Sequence, residues 1–184
     1  MKRLIPFVVA FAAPFAAQAQ TEASDSLALE EQKLLCNEAR SLYSSYEKQE
    51  DYHEAYKQWG KACEICPDEY IESVYSAGIR LLEEEFDAAE TAENEARMTS
   101  CADSIFMLYD RRLELHANDE SPEERYELLG RKAVAYYKLR SDDPVTANEW
   151  FMESIGGLKE QSSAAVLTYG YLTSFYSLKK LDSD

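Results

Sequence analysis

Chain-breaking residues are scarce in this 184-residue sequence, and their scarcity limits the folds that it can adopt. It contains six glycines and five prolines, and two of the prolines lie within the first 19 residues. A β sandwich needs a turn roughly every 8–12 residues and would use more of both. Apolar residues recur instead at helical spacing, with no convincing strand pattern. These features predict an all-α protein built from long helices.

Capping residues divide the chain into seven predicted helices, because a Ser, Asp or Asn side chain at a helix N-terminus accepts a hydrogen bond from the first turn. We expect the helices to span 24–48, 51–66 and 68–86, to begin at 91 and at 121, and to span 143–157 and 162–180. Residues at helical spacing support the first of them, namely Leu27, Leu34, Leu35, Leu42 and Tyr46.

Small and aromatic residues are spaced in the same way in two of the helix pairs. With Cys36 as position 1 of a unit of about 34 residues, positions 20, 24 and 27 are Ala55, Trp59 and Ala62. Small residues at 20 and 27 would let two antiparallel helices approach, and the ring at 24 would fill the wedge between them. A later pair, with two extra residues in its turn, places Ala147, Phe151 and Ser154 at the same positions.

This spacing resembles the tetratricopeptide repeat (TPR), a helical hairpin of about 34 residues. Ala39 departs from the Trp that is usual in the family, and Tyr43 departs from the usual Gly. A middle unit that begins near Ile71 is longer and degenerate, with its matches at Val74, Ala77, Gly78 and Leu81. The resemblance implies a right-handed α-solenoid of about three hairpins followed by a C-terminal helix. The segments 59–78, 108–112 and 129–132 also look similar to exported repeat proteins of Gram-negative bacteria.

The N-terminus has the features of a signal peptide. Lys2 and Arg3 precede an apolar run over 4–17, which is shorter than the roughly 20 residues of a membrane-spanning helix. Ala17 and Ala19 are the small residues that a signal peptidase recognises, so we expect cleavage after Ala19 and a periplasmic or secreted product. The expected organisation is a signal peptide at 1–19, a lead-in at 20–35, repeat 1 at 36–69, a long degenerate repeat 2 at 70–120, repeat 3 at 121–158 and a capping helix at 159–184.

Export would favour disulfides among the four cysteines, Cys36, Cys63, Cys66 and Cys101. The first hairpin turns near 49–50, so antiparallel helices would bring Cys36 level with Cys63, with Cys66 one turn further on. We expect a Cys36–Cys63 bridge, with Cys36–Cys66 as the alternative, and Cys101 would take the remaining partner. A thiol-disulfide enzyme that uses Cys63 and Cys66 is a less favoured hypothesis, because the pair ends a helix instead of beginning one.

The charge and the motifs of the chain argue against several classes of function. A net charge of −16 disfavours binding to nucleic acid or to anionic lipid. His53 and His116 have no partners at metal-site or catalytic-triad spacing, and His116 falls where a helix is expected to end. Established catalytic, nucleotide-binding and EF-hand motifs are missing as well. We therefore expect no catalysis, no cofactor and no metal.

Binding of a protein or peptide partner is the function that remains, and TPR families commonly hold peptides on their concave side. Arg40 and Arg131 stand out as basic residues on an acidic chain, able either to pair with a carboxylate of the partner or to form local ion pairs. The partner-facing positions that the resemblance implies are Asn37, Arg40, Ser44, Tyr75, Ile79, Arg131 and Tyr137.

A second hypothesis is a structural subunit or oligomerisation module that docks through its C-terminal helix. That helix lacks a hairpin partner of its own. Its candidate docking residues are Leu167, Tyr171, Leu178 and Leu181.

Overall fold

The structure is a computed structural model that describes residues 15–119, 121–140 and 142–181. The helices are α1 (Phe15–Lys48), α2 (Tyr52–Ile65), α3 (Asp68–Thr91), α4 (Glu95–Leu115), α5 (Glu123–Leu139), α6 (Pro144–Leu158) and α7 (Ala164–Leu181), with a 3₁₀ turn at Lys159–Gln161. Within these ranges there is no β-strand, so the all-α prediction is confirmed. The expected signal peptide falls largely on residues 1–14, which lie outside the described residues.

The turns between α1 and α2 and between α3 and α4 are built in the same way. Glu50 and Glu93 each adopt a positive φ, of 60° and 54°. The next residues, Asp51 and Asn94, each donate their amide to the carbonyl five residues earlier, at 3.0 and 2.8 Å. Their side chains then accept from the amide three residues later and so cap the second helix. This shared geometry makes the two hairpins repeat-like.

Several of the predicted helix boundaries are wrong: α1 is already helical at Phe15 and not only from 24, α3 continues past 86 to Thr91, and α5 begins at Glu123 and not at 121. Thr91 is the last residue of α3, and α4 begins only after Asn94, whose side-chain oxygen caps it. Gly157 does not end α6, which continues to Leu158. A Cβ at Gly157 would lie 2.2 Å from the Tyr126 ring, so this glycine allows a close approach between helices instead of stopping one.

The core forms where helices that are consecutive in the chain pack together, and α5 also contacts α7. All six residues at positions 20, 24 and 27 of the two matching units are buried, as the spacing predicted. Trp59 lies against α3, where its indole N–H donates to the carbonyl of Val74 at 2.8 Å. The Trp59 ring covers Gly78, where a side chain would have no room.

The buried face of α1 differs from the apolar residues that first indicated this helix. Leu34, Leu35 and Leu42 are exposed, and the face that packs on α2 consists of smaller or polar-tipped residues. Small side chains allow the two helix backbones to approach closely, which the leucines would prevent. The buried residues of this face are Cys36, Ala39 and Tyr43.

Replacing Gly78 by alanine should lower the free energy of unfolding by about 1–3 kcal/mol, because the new Cβ would overpack the core. That Cβ would lie 2.3 Å from a ring carbon of Trp59, and the indole has little room to move. Gly60→Ala in α2 is the matched control. No atom lies within 4 Å of its Cβ position, so the gain in helix propensity should stabilise the protein by up to about 1 kcal/mol. Urea unfolding followed by circular dichroism measures both, and equal effects of the two variants would contradict this packing.

A candidate binding groove between α1 and α3

A groove of about 520 Å³ runs between α1 and α3, the first helices of the two repeat-like hairpins. On α1 its residues follow the spacing i, i+3, i+4 and i+7, and on α3 they do the same, so each helix presents one face. Its walls are Asn37, Arg40, Ser41, Tyr43 and Ser44 from α1, and Ser73, Ser76, Ala77 and Arg80 from α3.

The groove is rich in hydrogen-bond donors, and its lining contains no carboxylate. Four serine hydroxyls, two guanidinium groups, an amide and a phenol line it, on a chain whose net charge is −16. Each of these groups is a hydrogen-bond donor, and among the serines Ser73 already donates to the carbonyl of Tyr70 at 2.8 Å. The composition of the walls is therefore the opposite of the acidic surface that the sequence predicts for the chain as a whole.

Arg80 already has an acidic partner at the edge of the groove. Its Nε and one terminal nitrogen contact the two carboxylate oxygens of Glu47 at 3.0 and 3.2 Å. The hydrogen bond to Glu47 raises the pKa of the Arg80 guanidinium above its ordinary value. Arg80 therefore contributes shape and hydrogen bonds to the groove more than free positive charge.

Arg40 has no such acidic partner. Its guanidinium lies over the Tyr70 ring, 4.7 Å from the ring centre, and one terminal nitrogen donates to Asn37 Oδ1 at 3.3 Å. Its Nε is buried without an acceptor, and among the described residues no carboxylate oxygen lies within 4.0 Å of the guanidinium. A buried charged donor without an acceptor is costly. Arg40 is thus held in place by Tyr70 and Asn37, and its charge is not neutralised by an acidic partner.

Three of the predicted partner-facing residues, Asn37, Arg40 and Ser44, line this groove together. Tyr75 does not line it, because its half-buried ring packs against the core formed by the first five helices. Ile79 is a correction: it is 4% exposed and belongs to that core, so no partner can contact it. The resemblance placed the expected partner-facing side of α3 about one residue away, around the helix, from the face that lines the groove.

Three groove residues of α3, Ser73, Ser76 and Arg80, were not predicted from the sequence. A signal for them was present, since these residues recur at i, i+3 and i+7, the spacing of one helix face. Ser41 on α1 was not predicted either, although it directly follows Arg40 and also lines the groove.

Arg131 and Tyr137 lie outside the groove. Arg131 forms a local ion pair with Glu127 on the same helix at 3.6 Å, which was the alternative for this residue. It lines a separate pocket of about 150 Å³ beside Val166 of α7. Tyr137 is half-buried, with its ring centre 5.2 Å from that of Tyr169. The two predicted basic contacts, Arg40 and Arg131, therefore belong to different sites.

The disulfide joins Cys36 to Cys66, so the expected Cys36–Cys63 pair is wrong and its alternative is confirmed. Cys66 follows the last residue of α2 in an extended conformation, and its Cα lies 4.8 Å from that of Cys36. Cys63 is still within the helix and packs against the core. Cys101 was expected to pair with the remaining cysteine, but it is a free, buried thiol.

The state of the free thiols bears on the thiol-enzyme hypothesis. Burial raises the pKa of the Cys63 thiol to about 11, and nearby Glu64 acts in the same direction. Burial also raises the pKa of Cys101. A reactive cysteine needs the opposite, a lowered pKa that supplies thiolate near neutral pH. Neither thiol has the environment of a catalytic nucleophile.

His116 follows the last residue of α4, at the helix end where the sequence analysis expected it. Its Nδ1 lies 2.7 Å from the Asp119 carboxylate, and this hydrogen bond raises the pKa of the imidazole. Glu72 and Glu124 lie further away, at 3.9 and 4.0 Å. The imidazole therefore lies among three carboxylates, and it is the backbone N–H of His116 that closes the helix end.

The fold and the groove together define an all-helical protein with repeat-like hairpins. Comparisons with protein-family models, with curated proteins and with solved structures found no significant match. Among the described residues, no helix combines the length and the apolar character needed to cross a membrane.

Proposed function

We propose that this chain is a non-catalytic scaffold that binds a peptide or protein partner in the groove between α1 and α3. The partner would present an acidic group, either a side-chain carboxylate or a C-terminus, to Arg40. The observation that carries the proposal is the guanidinium of Arg40, which has no acidic partner among the described residues, in a groove lined by hydroxyl groups and without a carboxylate.

The groove has the chemistry and the size for such a ligand. A carboxylate beside Arg40 would gain a charge-assisted hydrogen bond, and the serine hydroxyls could donate to its remaining lone pairs. A volume of about 520 Å³ is within the usual range for ligand sites and would admit a short stretch of extended peptide. The acidic surface elsewhere would repel the same ligand, which favours entry at this groove.

We also propose that the hairpins stack as a right-handed, TPR-like solenoid of about three units with α7 following the third. The buried small and aromatic residues at matching positions and the two identical turns support this arrangement. So does the pattern of contacts, which joins consecutive helices. In such a stack the first helices of neighbouring hairpins line the concave side, and α1 and α3 are those helices.

Export of the protein to a periplasmic or extracellular space is part of the same proposal. The Cys36–Cys66 disulfide supports it, because such bonds persist in oxidising compartments. The raised pKa of Cys63 supports a binding role over thiol chemistry.

Peptide arrays test the groove directly. The chain without residues 1–19 would be incubated with arrays of short random peptides made with either free or amidated C-termini. We expect the retained peptides to be enriched in Asp, in Glu or in free C-termini. For the best of these peptides, Arg40→Gln should weaken binding about 10- to 100-fold, which is the worth of one hydrogen bond to a charged group.

Arg111→Gln is the matched control, because it removes the same charge from an exposed arginine of α4 whose partner, Glu114, is local. Its affinity should stay close to that of the wild type. Equal binding by the Arg40 variant and the wild type, or retained peptides without acidic preference, would disprove the proposed function.

A further inference from the structure

Helix α7 has its large apolar residues on the outside and its small or hydroxyl-bearing residues on the inside. This is the reverse of an ordinary surface helix, which buries its apolar stripe. The residues that α7 buries are Val166, Gly170, Thr173 and Ser177.

The inner face of α7 is fully engaged with its own chain. Ser177 donates to the carbonyl of Pro144 at 3.1 Å, and Thr173 donates to backbone carbonyls of α7 itself. Gly170 lies directly against α6, where an added Cβ would approach Phe151 Cβ at 3.3 Å. Rotation of α7 to bury its outer face would break the Ser177–Pro144 hydrogen bond and the close contact of Gly170 with α6, so the packing fixes the large residues on the outside.

The outer face is one continuous stripe. Its four large residues recur at i, i+4, i+8 and i+11, which places them within one narrow sector of the helix. Their exposed fractions are 47% for Leu167, 75% for Tyr171, 62% for Phe175 and 65% for Leu178.

The stripe is large enough to be an interface. Taking 150–250 Å² for each large side chain, these four expose roughly 500 Å², comparable to the largest patch on a typical monomer, about 300–600 Å². Met152 of α6 is 43% exposed and borders α7 beside Gly170, so the apolar surface extends onto α6. A standard interface buries roughly 800 Å² per partner, so the stripe alone would supply more than half of that area.

The charge of α7 indicates what covers the stripe. Of the seven described helices, α7 alone contains no Asp or Glu. Two copies of a chain with a net charge of −16 repel each other over most of their surfaces. At α7 that local repulsion is absent, so this is the face on which a second copy can approach.

The stripe is also nearly symmetric about Tyr171. Leu167 lies four residues before it and Phe175 four residues after it. An antiparallel pairing about a two-fold axis would therefore place Leu167 of one copy against Phe175 of the other. The same pairing brings Lys179, at one end of the helix, towards Glu160 of the second copy, at the other end. Self-complementarity of this kind is what an isologous interface requires.

We propose that the protein forms a two-fold symmetric homodimer through α7, with Tyr171 at the axis. The groove between α1 and α3 includes no residue of α7. The dimer and the proposed peptide binding are therefore separate properties, and either can fail without the other.

Sedimentation velocity over a wide concentration range tests the dimer. We expect the chain without residues 1–19 to sediment with twice its chain mass. Tyr171→Glu should weaken dimerisation at least about 100-fold, because it places two like charges at the axis of an apolar interface. Its circular dichroism should stay unchanged, since the substituted side chain is exposed. Met107→Glu, which changes an exposed apolar residue of α4 in the same way, should leave the dimer intact.

A monomer at all concentrations would overturn the proposal, as would a dimer that Tyr171→Glu does not dissociate. Incubation with vesicles of anionic lipid tests the alternative that a membrane surface covers the stripe. A wild-type protein that stays monomeric in solution and cosediments with the vesicles, in a manner that Tyr171→Glu abolishes, would show that a membrane surface covers the stripe instead.

Discussion

Trp59→Ala should lower the free energy of unfolding by roughly 3–5 kcal/mol, the usual cost of removing a buried aromatic side chain. The ring fills the space between α2 and α3 over Gly78, and its N–H satisfies the carbonyl of Val74. Truncation would leave a cavity and a buried carbonyl without its donor. Urea unfolding monitored by circular dichroism measures the loss.

Trp59→Phe separates the two contributions to this effect. It keeps an aromatic ring in the wedge and removes the indole N–H, so its cost should be clearly smaller than that of Trp59→Ala. A Trp59→Ala protein about as stable as the wild type would mean that this ring does not hold the first two hairpins together.

Reduction of the disulfide should have the second large effect, lowering the free energy of unfolding by about 3–4 kcal/mol. Cys36 and Cys66 are 30 residues apart in sequence. A bridge that closes a loop of this length restricts the unfolded chain by about that amount in the chain-entropy model. Urea unfolding with and without dithiothreitol gives the difference directly.

The cysteine variants identify which pair is responsible. In Cys63→Ser the effect of dithiothreitol should persist, because Cys63 is a free thiol. In Cys66→Ser it should disappear. The opposite result, loss of the reductant effect in Cys63→Ser alone, would restore the Cys36–Cys63 pairing that the hairpin geometry had suggested.

The helices and two of their N-terminal caps were predictable because capping depends on nearby residues, whereas α3 and α5 follow Pro67 and Pro122 without a side-chain cap. Asp51 and Asp143 cap α2 and α6 as expected, each accepting from the amide three residues on. The small and aromatic positions around Trp59 and Phe151 were predictable for a similar reason, since close helix packing leaves few alternatives at those positions.

Features that depend on packing between residues far apart in the sequence could not be predicted from local sequence patterns. The leucines of α1 and its smaller residues, such as Ala39, both follow helical spacing, and only the partner helix decides which set is buried. The choice between Cys63 and Cys66 depends on how the chain leaves α2. Ile79 was assigned to the groove because a slight rotation of α3 about its axis cannot be seen in a degenerate repeat.

Only the α1 side of the candidate groove was predicted from the sequence. The contribution of α1, centred on Arg40, follows from a repeat unit whose pattern is well preserved. The contribution of α3, centred on Arg80, belongs to the unit that is longest and least regular. The ion pair of Arg80 with Glu47 joins residues 33 positions apart, and the sequence around either residue does not indicate it.

Each helix contacts chiefly its neighbours in the chain, and this arrangement affects how the protein unfolds locally. Chains whose contacts are mostly local fold rapidly, since little loop-closure entropy is lost before contacts form. Where each hairpin rests chiefly on the next, one end can open while the other stays closed. The Cys36–Cys66 disulfide restrains the end of the molecule that carries Arg40, whereas α7 contains no cysteine and is not cross-linked. In the monomeric form, amide protons of α7 should therefore exchange with solvent before those of α1 and α2, so that the end that carries the candidate groove stays folded through the commonest fluctuations.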